Sequence, residues 1–265
     1  MTATPLSQDT LVLRQDEAGV ATLTLNRPKH YNALSQAMLS ALQAALDAIT
    51  ADESVRVVVI AGNGPAFCAG HDLKEMRSQT DRAFHQALFA QCGQVMLTIN
   101  RLPQPVIARV HGIATAAGCQ LVAACDLAVA SDNARFAVSG INLGLFCSTP
   151  GVALSRNLGR KQALELLLTG EFIDASTALR QGLINRVVPL EQLDAAVWQL
   201  AESICHKSPL AIRMGKELFY RQLGLPLEEA YACASEAMAC NMDSEDAREG
   251  IDAFMAKRKP EWKGC

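Results

Sequence analysis

The chain has 265 residues, 50% of them apolar and 19% charged, enough for one large core and too apolar for a disordered chain. Its 24 basic residues stand against 27 acidic ones, a net charge of −3, so neither composition nor charge favours a nucleic-acid partner. The nine cysteines form no CxxC pair and match no zinc spacing, and no uncharged apolar run reaches the roughly 18 residues that span a bilayer.

Residues 1–13 lack the cationic and apolar regions of a signal peptide. With an odd cysteine count, this predicts free, mostly buried thiols in a reducing cytoplasm, with no metal and no membrane contact. Residues 11–14 and 20–26 read as two strands of a hairpin turning at Glu17-Ala18-Gly19. Ser35 is placed to cap a helix whose Leu39, Leu42, Leu46 and Ile49 form one apolar stripe. Residues 55–61 contain the run VVVIA, a parallel strand buried on both faces, ending in the turn Gly62-Asn63-Gly64-Pro65. A helix is predicted over 81–100, a strand over 106–110, a small-residue helix over 114–124 and a strand over 127–130. Beyond Pro150 the pattern is helical over 161–169, 175–181, 190–206, 211–222 and 228–255, with Val187-Val188 the one short strand. Alternating β and α followed by α alone implies a parallel sheet with right-handed crossovers and a helical C-terminal part. No internal repeat is visible.

Phosphate-binding motifs of the GxxxxGK[ST] and GxGxxG kinds are missing, as is a G-x-S-x-G elbow. Two loops rich in small residues follow buried strands. One is Ala66-Phe67-Cys68-Ala69-Gly70-His71-Asp72-Leu73-Lys74-Glu75, the other His111-Gly112-Ile113-Ala114-Thr115-Ala116-Ala117-Gly118-Cys119-Gln120. Each reads as opening a helix, whose first N–H groups have no partner within it. Two such donors aimed at one point make an oxyanion hole. Tight helix–sheet packing also selects Gly and Ala, so that reading stays open.

With Asn26-Arg27-Pro28, Asn32-Ala33-Leu34, Cys125-Asp126-Leu127, Leu168-Thr169-Gly170-Glu171, Gly182-Leu183-Ile184-Asn185-Arg186-Val187-Val188 and Lys257-Arg258-Lys259-Pro260, these loops make a series covering nearly the whole chain. In that order and spacing it resembles the enoyl-CoA hydratase/isomerase (crotonase) superfamily. The run Gly144-Leu145-Phe146-Cys147-Ser148-Thr149-Pro150-Gly151 looks like the enoyl-CoA hydratase domain-containing branch. The resemblance implies an α/β fold, a spiral of ββα units over 1–200, with a helical trimerisation region over 201–265. It implies a trimer or a dimer of trimers and an acyl-CoA ligand, with no cofactor beyond the coenzyme A of the substrate.

It also implies that the backbone N–H groups of His71 and Ala117 hold the thioester carbonyl. Tyr31, Ala33, Ala69, Asp72, Leu73 and Ala116 are then substrate neighbours, while Lys29, after the Arg-Pro turn, either meets the CoA phosphates or belongs to a solvated loop. Phe254 and Lys257 approach a neighbouring subunit's CoA. Family members usually carry glycine at the positions of Ala116 and Ala117. Typical hydratases carry two glutamates; the matching positions here are Gln120 and Gly140, so both carboxylates are missing. An acid used by a dienoyl-isomerase subfamily falls near Ser148, again no acid. His71 could add its imidazole, and Cys147 a nucleophile, although a small buried cysteine is the commoner role. His111 reads as a hydrogen-bonded core residue, Asp126 as a turn holder and Asp72 as a helix N-terminal acid. The expected function is an acyl-CoA enzyme of lyase or isomerase kind, in fatty-acid or related metabolism, that stabilises an enolate without efficient hydration. The alternative is an acyl-CoA binding protein that has lost catalysis and acts by sequestration or mixed oligomerisation.

Overall fold

The structure is a computed structural model and describes residues 10–265. Most of the leader reading, at residues 1–9, therefore lies outside the described residues. Strands β1 (Val12–Glu17) and β2 (Val20–Leu25) form the predicted antiparallel hairpin, with Ala18 and Gly19 at positive φ in its turn. Helix α1 (Gln36–Thr50) starts where predicted: the Ser35 hydroxyl accepts the Met38 N–H, and Leu39, Leu42, Leu46 and Ile49 are buried. Then come β3 (Val57–Gly62), β4 (Ala66–Cys68), α2 (Leu73–Ser78), α3 (Arg82–Arg101), β5 (Val106–Val110), β6 (Ile113–Thr115), α4 (Ala117–Ala124), β7 (Leu127–Ser131) and β8 (Arg135–Ala137).

β3–β4, β5–β6 and β7–β8 are three turns of a spiral, each giving one strand to each of two sheets. The six-stranded sheet runs β1-β2-β3-β5-β7-β10, with β10 at Arg186–Val188, and is parallel except for β1. The four-stranded sheet runs β4-β6-β8-β9, with β9 at Ile173–Asp174 pairing antiparallel. This repeat left no mark in the sequence because its second strands are only three residues long. The expected helix over 114–124 is corrected here: Ala114 and Thr115 belong to β6, and α4 starts at Ala117.

The remaining helices are α5 (Ser148–Asn157), α6 (Arg160–Thr169), α7 (Ala175–Gln181), α8 (Leu193–Cys205), α9 (Pro209–Gln222), α10 (Leu227–Met242) and α11 (Glu245–Met255). The predicted 228–255 helix is two helices, because the Ser244 hydroxyl caps a new start by accepting the Ala247 N–H. α8 seats Leu193, Val197 and Ala201 on Val57, Val59, Ile107 and Val129, on the face of the large sheet opposite α1. The boundary expected at residue 200 falls inside this helix; the last strand is β10, and only helices follow it among the described residues.

Lys216 of α9 donates to Ile99 O, Gln104 O and Asp126 Oδ2, at 2.9, 2.9 and 2.6 Å, and Tyr220 donates to Asp126 Oδ1 at 2.7 Å. Asp126 also accepts the Val106 N–H at 2.7 Å, so it ties the start of β5 to the C-terminal helices. Its role is the structural one that the sequence suggested. All nine cysteines are free. Among the described residues no helix is long and apolar enough to cross a membrane.

Candidate active site

Asn32 sets up the first loop. It is fully buried at φ +54°. Its Oδ1 accepts the Arg27 N–H, and its Nδ2 donates to the carbonyls of Asn63, Ala66 and Phe67, all at 2.9–3.1 Å. Residues 27–34 are thereby stitched to β4. Two backbone bonds continue the seam, Ala69 N to Tyr31 O at 3.0 Å and Leu34 N to Gly70 O at 2.7 Å.

An isolated parallel bridge joins Leu34 to His71. It uses the carbonyl of Gly70 and the N–H of Asp72, so the His71 N–H points to the other side, and no hydrogen bond among the described residues takes it up. The sequence reading put this N–H at a helix start; the bridge is the real cause, since α2 begins at Leu73 with Asp72 as its cap. The Asp72 carboxylate accepts from Lys74 N and Glu75 N, at 3.0 and 3.2 Å, and pairs with Arg27 at 2.7 Å. Burial opposes its charge, but these donors win and hold its pKa below the ordinary value.

The second loop delivers Ala117, the first residue of α4, with no side chain capping its N-terminus. Ala116 sits at φ +51°, ψ −122°, held by its N–H on Ala137 O at 3.0 Å. The two loops touch. A β-carbon on Gly70 (φ +90°) would lie 2.8 Å from Ala116 Cβ and 3.1 Å from Ala117 N. A β-carbon on Gly118 would lie 2.1 Å from Cys68 O, so only glycine lets α4 approach β4 this closely.

Both loops open onto a cavity of about 580 Å³. It gathers Lys29, Tyr31, Ala33, Ala69, His71, Asp72, Leu73, Ala116, Ala117 and Gly140 from the sequence-predicted set. Met76, Phe89, Leu143, Leu145, Phe146 and Cys147 supply apolar and thiol wall that the sequence did not assign to substrate. The available signal was the apolar cluster Leu143, Leu145, Phe146, which stays exposed instead of joining the core. Gln120 does not line the cavity; it is buried on α4, with no hydrogen-bond partner for Oε1. Phe254 and Lys257 lie elsewhere in the protomer, Phe254 nearly fully exposed.

The imidazole of His71 packs edge-on against Phe89, centroids 5.3 Å apart, and burial pushes its pKa down to about 4. It is neutral at physiological pH and is no acid there. Burial also holds the Cys147 thiol above its ordinary pKa. Among the described residues Asp72 is the one carboxylate on the cavity wall, and it is occupied by Arg27 and the α2 N–H groups. A second cleft, of about 570 Å³, lies across the large sheet between the hairpin and α8. It holds His111 and the Arg109–Asp194 ion pair. His111 Nε2 lies 2.8 Å from Gly64 O, so it is hydrogen-bonded as expected, but half-buried at a cleft wall instead of in the core.

The profile of the enoyl-CoA hydratase/isomerase family matches residues 15–265. The chain belongs to the enoyl-CoA hydratase/isomerase family. It is 47% identical over 256 residues to the mouse protein named enoyl-CoA hydratase domain-containing protein 3, mitochondrial, covering 97% of this chain and 85% of that one. The crystal structure of the human domain-containing protein 3 superposes with a TM-score of 0.93 at 46% identity, over 95% of this chain and all of that one. A Mycobacterium smegmatis structure described as an enoyl-CoA hydratase superposes with a TM-score of 0.94 at 61% identity, over 95% and 98% of the two chains. The family's fold and its domain-containing branch are thus as the motifs implied. The cytoplasmic setting is not: the mouse relative and others similar to this chain are named mitochondrial, which overturns that expectation.

Proposed function

We propose that this member of a family of acyl-CoA enzymes binds an acyl-CoA thioester in the apolar cavity and stabilises its enolate between the backbone N–H groups of His71 and Ala117. The observation that carries the reading is that both N–H groups lack a partner among the described residues, on two loops that touch at the cavity wall. By analogy with other oxyanion holes, each donor is worth about 3–4 kcal/mol in the transition state. The side chains at the mouth divide the ligand. Lys29, on an exposed turn, suits the CoA phosphates, while Leu73, Met76, Phe89, Leu143, Leu145 and Phe146 suit an acyl chain.

Water addition to an enoyl thioester needs a base for the water proton and an acid for the α-carbon. General acid–base help of this kind is worth roughly 10²–10⁴-fold. Gln120 does not titrate, Gly140 has no side chain, Asp72 is tied up and His71 is neutral. Efficient hydration is therefore not the proposed reaction. Steps that need only an enolate fit better, such as loss of CO₂ from a malonyl-type thioester in fatty-acid or related acyl-CoA metabolism. The same lack of a free carboxylate favours a second reading, an acyl-CoA binding protein acting by sequestration or mixed oligomerisation. Exposed Phe219, Leu227, Tyr231, Met238 and Phe254 on α9–α11 suit self-association as a trimer or a dimer of trimers. There Phe254 and Lys257 would reach a neighbour's CoA. Turnover on enoyl-, β-ketoacyl- and malonyl-CoA thioesters separates the two readings. Conversion of one class supports the enzyme; tight binding of all three with no conversion supports the binding protein.

A further inference from the structure

The cavity wall is divided by charge. Among the described residues its only Lys, Arg, Asp or Glu side chains are Lys29, Asp72 and Lys74, all from the two segments that frame the His71 N–H. Residues 139–150 form another stretch of the wall and contain no charged residue. They bring Leu143, Leu145 and Phe146 to it, and these are 60%, 50% and 46% exposed. Large apolar side chains left open together at a cavity rim mark a place where something apolar binds.

Backbone bonds, not side-chain burial, set the path of the turn that carries them. A 3-10 turn over Ser139–Leu143 ends at Gly144, in the left-handed region at φ +77°. The Gly144 N–H donates to Ile141 O and the Leu145 N–H to Gly140 O, both at 3.0 Å. Gly140 lies against this turn, where a β-carbon would fall 2.7 Å from Leu145 O and from Cys147 Sγ. No side chain fits there, so the wall at this point is the apolar turn itself.

The apolar wall also reaches the oxyanion pair. Phe89 packs edge-on against the ring of His71, centroids 5.3 Å apart, and Met76 joins it on the wall. A hydrocarbon chain leaving a carbonyl held by the His71 N–H therefore meets apolar surface directly. The phosphates of CoA find no cation in segment 139–150 and match Lys29 and Lys74 instead, which leaves the exposed turn to the acyl group. A butyryl tail, one propyl group beyond its carbonyl, is smaller than any one of these side chains and would leave most of the wall wet.

We infer that the site selects medium- and long-chain acyl-CoA thioesters over short ones, with the chain covering Leu143, Leu145 and Phe146. The inference rests on the oxyanion reading above, which puts the thioester carbonyl at His71 and Ala117. Each methylene taken fully out of water is worth about fourfold in affinity, so the four that separate octanoyl from butyryl give roughly 200-fold if all are buried and about 15-fold if two are.

The test is calorimetric titration of the full chain with butyryl-CoA and octanoyl-CoA, saturated thioesters whose binding is read without turnover. Octanoyl-CoA should bind at least 15-fold more tightly. In the double variant Leu143→Ser with Phe146→Ser, that advantage should fall at least fivefold. In Leu168→Ser, which removes an equally exposed leucine of α6 outside the cavity wall, it should persist. Excess butyryl-CoA should displace octanoyl-CoA from the unmodified protein, a check that needs no variant to fold. Equal affinities for the two thioesters overturn the chain-length selection and leave the acyl-CoA reading standing. So does an octanoyl advantage that survives the double variant, that falls as far in Leu168→Ser, or that butyryl-CoA cannot displace, since the chain then lies on another surface. Protein that binds neither thioester overturns both.

Discussion

Ala116 holds a backbone conformation that glycine adopts freely and alanine does not, φ +51°, ψ −122°, at the point where β6 turns into α4. An L-residue in such a region costs about 1–3 kcal/mol. Replacing it by glycine removes that strain but gives the unfolded chain more freedom, which returns about 0.4–1 kcal/mol. The methyl group is partly buried beside the core and faces Gly70 across the loop contact, so little packing is lost. Ala116→Gly should therefore stabilise the protein by about 1 kcal/mol and raise Tm by about 3 °C for a chain of this size. Urea denaturation with the m-value held constant is the assay. A variant destabilised by more than about 0.5 kcal/mol would refute the reasoning, and would mean that the methyl group braces the loop more than the backbone strains it.

The pH dependence of stability should show the buried imidazole. With a folded pKa of about 4 against an ordinary 6.5, His71 binds its proton more readily in the unfolded chain. Its contribution is complete above pH 6.5 and is lost as pH falls toward 4, by about 2 kcal/mol at pH 5. His71→Phe, which keeps a ring against Phe89, should lose about that much less than the parent between pH 7 and pH 5 in chemical denaturation; equal losses would show that the imidazole is not buried neutral. Gln120→Glu alone should raise crotonyl-CoA hydration less than tenfold, since acid and base act as a unit; a larger gain would place another proton carrier in the cavity. Adding Gly140→Glu should lift the rate toward 10²-fold only in protein that stays folded. Its obstacle is not backbone φ but contact, for its β-carbon would fall 2.7 Å from both Leu145 O and Cys147 Sγ, so a lower Tm should accompany it. Deleting residues 249–265 removes the Lys263 and Gly264 N–H groups from the buried Asp246 carboxylate and should shrink the assembly by light scattering or weaken CoA binding; unchanged size and affinity would count against a C-terminal assembly region.

The large sheet and its helices were legible because β-branched runs such as VVVIA and the Leu39–Leu42–Leu46–Ile49 stripe report burial directly. The second sheet was not. Ala66–Cys68, Ile113–Thr115 and Arg135–Ala137 are too short to show a period, and they become strands only because the spiral stacks them. Helix α5 escaped because it opens on Ser148, Thr149, Pro150 and Gly151, which in isolation read as a turn. At the site, the small-residue loops marked where backbone N–H groups are left over, but not why. For His71 the reason is a single bridge to Leu34, a contact between segments 37 residues apart by number. The roles of Asn32 and of the Arg27–Asp72 pair were likewise hidden, since they depend on which strands become neighbours.

The backbone pair at the heart of the proposed chemistry is tested most directly by a crystal structure of the protein with a non-hydrolysable acyl-CoA analogue. The expected result is a carbonyl oxygen within about 3.2 Å of both His71 N and Ala117 N, with the acyl chain running past Phe89 toward Phe146. A carbonyl oxygen out of hydrogen-bond range of both nitrogens, or an analogue bound in the cleft beside His111, would contradict it.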